Sequence, residues 1–307
     1  MVFDRKTLVI PDKTSFEEQM IITHGDVIIG DRCLVEFGIK TDGRIFIGEH
    51  VIIDGTLNAT GDIRADIFTN IGGDVTSKAN VYLGEKVIIN GKLSLKGDLD
   101  VGDSVEIKQG FEAKGWINIR SPIPIVIYIF IHLLELLKMG RSEEIERILE
   151  ELEENDGRTI PISEIFFFIP PNSIIGIQKS KVECNIQIGA ASKILGNFEV
   201  KGKVVLGNSS SLYGTIKSTG DTICGKYVRL EGNILSNSDV RIDEKTYVAG
   251  DVSGRKIYLS KNSSIEGTLQ ARQGISFIKP SETMMIEKVN RFENGMDIVD
   301  DVTELLE

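Results

Sequence analysis

The sequence predicts an all-β-dominated fold: two tandem triangular β-solenoids of 18 residues per coil, with an α-helical hairpin inserted between them. Three observations predict it. Apolar residues recur every six and every 18 positions, a block of sequence returns at an offset of 159, and the periodicity breaks once at a long apolar run.

The step of six runs from Val27 through Cys33, Ile39, Ile45, Val51, Leu57, Ile63, Thr69, Val75, Val81, Val87, Leu93, Leu99, Val105, Phe111 and Ile117, and only Thr69 is polar. A second apolar residue two places on (Ile29, Ile47, Ile53, Leu83, Ile89, Val101, Ile107) gives the alternation of a short strand with two inward side chains. Three such strands make one coil. A long helix is excluded, because at 3.6 residues per turn steps of six scatter the apolar positions around the axis. Gly55, Gly73 and Gly91 stand two residues before inward positions, near a corner. There a residue without Cβ allows either a positive φ or close stacking of coils.

The second ladder repeats the first. LVIPDKTSFEEQMIITHGDVIIG (8–30) aligns with FFIPPNSIIGIQKSKVECNIQIG (167–189), Pro11 with Pro170 and Gly30 with Gly189. The step of 18 then runs through Ile186, Val204, Thr222 and Val240, slips by one residue to Ile257 and ends at Ile275. Ser192, Ser210, Thr222 and Thr246 fall on inward positions, so this interior is more polar. The expected division is a first solenoid over 1–122, a helical hairpin over 123–164, a second solenoid over 165–280 and an acidic tail over 281–307.

The hairpin is expected from SPIPIVIYIFIHLLELLKMG (121–140), nearly all apolar, followed by RSEEIERILEELEEN (141–155) with Ile145, Ile148, Leu149 and Leu152 on one face. Its apolar member is shorter than the roughly 20 residues that an upright membrane span needs. Ile125, Ile127, Phe130, Leu133, Leu134 and Leu137 are therefore the candidate packing residues, against a solenoid or another subunit. Docking on a membrane surface is the alternative.

Composition narrows the function. The net charge is −11, divided as −5 over 1–120, −5 over 121–180, +5 over 181–280 and −6 over 281–307. No basic arm is present, which argues against a nucleic-acid partner. Cys33, Cys184 and Cys224 are isolated, without metal-knuckle spacing, as in a reducing cytosol. The N-terminus shows no secretory pattern. GDTICGKY (220–227) nearly matches a phosphate loop, but Tyr227 replaces the magnesium-binding hydroxyl and Thr222 keeps the repeat register. His24 and His50 are read as outward turn residues and His132 as a residue of the apolar helix. No catalytic set, cofactor or metal site is nominated.

VIINGKL, VRLEGNI and SSIEGTL, each carrying apolar-x-Gly-x-apolar or its near equivalent on 18-residue coils, resemble the bactofilins, the polymer-forming cytoskeletal proteins. The resemblance covers roughly 8–122 and 165–280. It implies a right-handed triangular β-helix and assembly through solenoid ends without nucleotide. It also implies a self-associating, non-enzymatic cytoplasmic scaffold, often held peripherally at the inner face of the membrane. The terminal coils carry the candidate assembly residues Ile117, Ile119, Ile275 and Phe277, because a last strand leaves unpaired edges. Two other functions compatible with a solenoid are a hexapeptide-type acyltransferase using His24 or His50, and a monomeric binding platform.

Overall fold

The computed structural model describes residues 6–120 and 163–278. Among the described residues all regular structure is β, arranged in three sheets of 14, 12 and 12 strands. The expected hairpin at 123–164 and the tail at 281–307 lie outside the described residues, apart from the short approach that begins at residue 163.

The period of 18 is the pairing register. Ile45, Ile63, Val81, Leu99 and Ile117 stand on one another in parallel strands. Inward side chains such as Ile45, Ile63, Val81, Val87 and Leu93 have no exposed surface. At roughly 1.5–3 kcal/mol for each fully buried aliphatic side chain, this interior is the main stabilising term. The slip toward Ile257 is absorbed at a corner. Val240 pairs Ile257 and Val252 pairs Leu269, because the corner between Val252 and Ile257 is one residue shorter than that between Ile234 and Val240. Several inward hydroxyls are buried and bonded to backbone: Thr69 to the Gly48 carbonyl (3.0 Å), Ser210 to Gly207 (2.7 Å) and Thr246 to Gly225 (2.6 Å).

The two expected solenoids are not separate. All three sheets run through both segments of the chain, and the first strands are exchanged. Thr7–Ile10 lies parallel to Asn185–Ile188, Leu8 against Ile186 and Ile10 against Ile188. Phe166–Ile169 lies parallel to Asp26–Ile29, Phe167 against Val27 and Ile169 against Ile29. The exchanged strands meet antiparallel at Val9 and Phe168, residues 159 apart. In the other two sheets, Ser15–Phe16 turns back on Met20–Thr23, and Ile174–Ile175 turns back on Lys179–Val182. Each half thus covers the edge that the other would leave unpaired, and the two N-terminal ends of the stack are consumed at the joint. Leu8, Ile10, Phe167 and Ile169 are at most 1% exposed there.

The corners decide between the two roles expected of glycine and add a contact. Gly55, Gly73 and Gly91 do not supply the positive φ. They permit close stacking: a Cβ on Gly55 would stand 2.1 Å from the Gly38 nitrogen, and one on Gly91 2.6 Å from that of Asp74. The left-handed corner is held instead by Arg32, His50, Phe68, Lys86 and Ser104, at φ of 55–58° and a spacing of 18. Corner carboxylates and amides tie coil to coil. Asp62 Oδ1 accepts the Asn80 N–H (3.1 Å), Asn80 Oδ1 that of Asp98 (2.8 Å) and Asp98 Oδ1 that of Trp116 (2.8 Å).

Asp26 fixes the chain's re-entry at the joint. Its side chain is 4% exposed and accepts hydrogen bonds from Arg44 Nε (3.1 Å) and the Ser163 N–H (3.0 Å). Burial alone would raise its pKa, but the Arg44 hydrogen bond and the backbone donors of Ser163 and Arg44 outweigh it and hold the carboxyl below its ordinary value. A carboxyl depressed in the folded state contributes stability above its unfolded pKa and loses it as pH falls through the folded value. Asp26→Asn is expected to cost about 1–3 kcal/mol near neutral pH. The deficit should shrink below about pH 4 in urea titrations at several pH values; a pH-independent deficit would contradict the assignment.

Exchange makes a second prediction. Residues 1–120 and 163–278 expressed together as separate chains are expected to copurify in equal amounts, because each supplies a strand to the other's stack. Two species that elute independently would contradict the exchanged joint.

Candidate assembly surfaces

Both open ends of the stack are C-terminal coils. One is built from Glu106–Ile107, Phe111–Ala113 and Ile117–Ile119, the other from Ser264–Ile265, Leu269–Ala271 and Ile275–Ile278. Burial collapses over the last coils: Val81 is fully buried, Leu99 1% exposed, Ile117 48% and Ile119 72%. At the opposite end Ile257 is fully buried, while Ile275 is 42% and Phe277 65% exposed. Register explains the contrast. Ile117 continues the inward column of Val81 and Leu99, and Ile275 that of Val240 and Ile257, but no further coil covers them among the described residues. The structure therefore puts all four sequence-predicted assembly residues on the outermost strands of the 14-stranded sheet, two at each end.

The corner ladder stops at the same surfaces. Trp116 donates its N–H to Asp98, but an indole cannot accept the next backbone N–H, and the side chain is 85% exposed. Phe111, 50% exposed, adds to this apolar end. Polar contacts flank it: Lys92 pairs with Glu112 at 3.1 Å and Arg120 with Asp100. The second ladder runs from Asn233 through Asp251 to Thr268, with bonds of 2.8 and 2.7 Å. Among the described residues these ends carry a strand edge with no further paired strand, beside apolar side chains in core register.

The residues considered for catalysis stay apart. His24 Nδ1 lies 2.9 Å from Asp42 Oδ2 with both side chains more than half exposed, and that hydrogen bond holds the Asp42 carboxyl below its ordinary value. His50 occupies a left-handed corner and stacks on Phe68 with ring centroids 4.8 Å apart. Thr222–Cys224, in the near-match to a phosphate loop, is a strand whose Thr222 and Cys224 are fully buried. The Lys226 N–H is spent on Asn208 Oδ1 (2.9 Å). Burial pushes the Cys33 thiol up to about 11 and that of Cys224 up to about 12, which makes both poor nucleophiles. Among the described residues no three His, Cys, Asp or Glu side chains converge as a metal site. No described helix is long and apolar enough to cross a membrane. The sequence-predicted contacts Ile125, Ile127, Phe130, Leu133, Leu134 and Leu137, and His132, lie outside the described residues.

Two structural features escaped the sequence reading. The corner ladder was signalled by Asp or Asn recurring just before inward positions, as at Asp62, Asn80 and Asp98. The outward face of the long sheet carries aromatic residues at Phe46 and Tyr82, in register with Arg64 between them.

Comparison with known proteins bears on the second half of the stack. No curated protein and no solved structure matches the chain. A family model described as "Bactofilin: Polymer-forming cytoskeletal" matches residues 173–270, which run from just before Ile174–Ile175 to the edge strand Leu269–Ala271.

Proposed function

We propose that this protein is a non-enzymatic scaffold subunit that polymerises end to end, without nucleotide, through its two open coils. The observation that carries the reading is the exposure of Ile117, Ile119, Ile275 and Phe277 in columns whose members a few strands away are at most 4% exposed. Covering such side chains contributes roughly 1.5–3 kcal/mol each when burial is complete, and pairing the edge strands satisfies their backbone groups as well. The match to a polymer-forming cytoskeletal family over 173–270 supports the same reading.

In this reading the halves, 1–122 and 165–280, are copies of one solenoid unit, supported by the offset of 159 that relates Val9 to its partner Phe168. Their N-terminal ends are used up against each other, so each subunit presents one end bearing Ile119 and one bearing Phe277. The isolated cysteines fit work in a reducing cytosol. Self is the principal partner. Peripheral contact with the inner face of the membrane is a role for the segment 123–164.

Single and double charge substitutions test both assembly and its polarity. Ile119→Arg with Phe277→Arg is expected to leave monomers by sedimentation velocity and abolish filaments or sheets in negative-stain micrographs, with the β-sheet circular dichroism unchanged. If unlike ends join, either single variant stops growth at the monomer; if like ends join, each single variant leaves dimers. Assembly that persists undiminished in the double variant would overturn the proposal. Addition of ATP, GTP or EDTA is expected to leave wild-type assembly unchanged, as followed by light scattering; growth that requires a nucleotide would contradict this reading.

A further inference from the structure

The 14-stranded sheet turns one row of side chains outward along the whole stack. From the joint toward one end the row reads Ile28, Phe46, Arg64, Tyr82 and Asp100, each paired in register with the next. Toward the other end it reads Val205, Ile223, Arg241 and Tyr258. The six apolar and aromatic members are half-buried. Of the three outer faces this one alone is apolar in both halves. The sheet that contains Leu57–Ala59 turns out Lys40, Asn58, Thr76 and Ser94, and the remaining sheet turns out Lys181, Glu199 and Lys217 in its second half. A groove of about 570 Å³ follows the first-half part of the row, with Asp31, Asp66 and Asp100 beside Arg64 and Arg120.

We propose that this face joins two copies of the chain side by side and antiparallel, the first half of each lying on the second half of the other. Charge supplies the partner. Residues 6–120 carry 13 Lys and Arg against 18 Asp and Glu, whereas residues 163–278 carry 14 against 10. The halves are stacked end to end, so beyond the joint these opposite charges face each other only across two copies. The order of the row supplies the orientation. Counted from the joint, Tyr82 and Arg241 both stand on the fifth strand, and Asp100 and Tyr258 both on the sixth. An antiparallel pair therefore sets a guanidinium on a tyrosine ring and a tyrosine hydroxyl on a carboxylate. A parallel pair would set Arg64, Asp100 and Arg241 each on its own copy, like charge on like. The row spans 11 strand steps from Asp100 to Tyr258, about 53 Å at ~4.8 Å each, and strands of three or four residues are roughly 10 Å long. The footprint is then about 500 Å² on each copy, roughly 1,000 Å² in all, the lower bound of a specific interface. Contact of that size leaves end-blocked subunits monomeric in sedimentation and adds up along two polymers. This goes beyond end-to-end assembly, because it uses a flank and leaves the ends untouched.

Single-cysteine crosslinking tests the pairing in the full chain. In a Cys184→Ser background, Cys33 and Cys224 are buried, and burial pushes their thiols up to about 11 and about 12, so both stay protonated at neutral pH. Chains carrying Phe46→Cys and chains carrying Val205→Cys, both on the third strand from the joint, are mixed and treated with a short bis-maleimide. The mixture is prepared with wild-type ends and with Ile119→Arg and Phe277→Arg together. The expected product has dimer mass and contains one chain of each kind. Neither chain alone is expected to crosslink, because like positions then stand five strand steps, about 24 Å, apart along the pair. Crosslinks between like positions only would overturn the antiparallel order. No crosslink with either set of ends would overturn the proposal and leave the face to another occupant. The end-blocked arm needs no polymer, so it separates this failure from a failure of end-to-end growth. As an independent readout, Arg241→Glu is expected to leave filaments single in negative-stain micrographs where wild-type filaments are paired, with their length unchanged. Pairing undiminished in that variant would count against the contact of Tyr82 with Arg241.

Discussion

Backbone pairing at a separation of 18 residues underlies every other feature of this molecule. Almost every strand hydrogen bond is made to the coil before or after, not within a coil, so an insertion inside a strand would turn its inward residues outward. The single irregularity respects this rule. The missing residue falls in the corner before Ile257, and the strands on either side keep Val240 against Ile257 and Ile257 against Ile275. Corners absorb length changes; strands do not. The glycines follow from the same stacking, since Gly55 and Gly91 sit where the neighbouring coil's backbone approaches too closely for a Cβ.

Polar groups inside such a column are tolerated only when the corner below or above accepts them. Ser192 donates to the Pro11 carbonyl at 3.1 Å, and its counterpart 159 residues earlier, Cys33, points its thiol at the Pro170 carbonyl at 3.1 Å. These are two crossings of the same joint, one from each half. Thr14 has both the Pro11 carbonyl and the Thr23 hydroxyl within 3.0 Å, whereas the hydroxyl of the corresponding Ser173 has no hydrogen-bond partner among the described residues. The reason is visible in the sequence offset: Val182 stands where the first half has Thr23. A buried hydroxyl left alone costs about 1–3 kcal/mol, so the second half is locally less well satisfied at the joint.

The repeat was legible because both the inward columns and the register rest on one number. Ile45, Val81 and Leu99 declare themselves as core by spacing alone, and so does the slip at Ile257. The exchanged joint was not legible, for a physical reason. Leu8 and Ile10 present the same inward alternation to the coil of Ile186 and Ile188 as they would to the coil of Val27 and Ile29, so pattern cannot choose between the two neighbours. The aromatic outer row was visible as Phe46 and Tyr82 but carried no meaning until the strands were stacked. The open ends lie between these cases: position in the sequence marks Ile119 and Phe277 as last, and only the fold shows that both ends are C-terminal.

That last point constrains any larger assembly. An open-ended stack of parallel strands has two chemically different termini, and a single solenoid uses one of each when it grows head to tail. Here the N-terminal pair has been joined within the chain by exchanged strands, through the antiparallel contact of Val9 and Phe168. What is left, among the described residues, is a stack whose two open ends descend from the same end of the repeat but differ in side chains: Trp116, Ile117 and Ile119 on one, Ile275 and Phe277 on the other. The strands at these surfaces run in opposite senses about the common axis, so under the proposed end-to-end assembly any junction would be antiparallel, like the internal one, whichever ends met. The internal joint hides its apolar residues by exchanging whole strands. The outer coils, among the described residues, are paired only with their own stacks, and no strand is exchanged there.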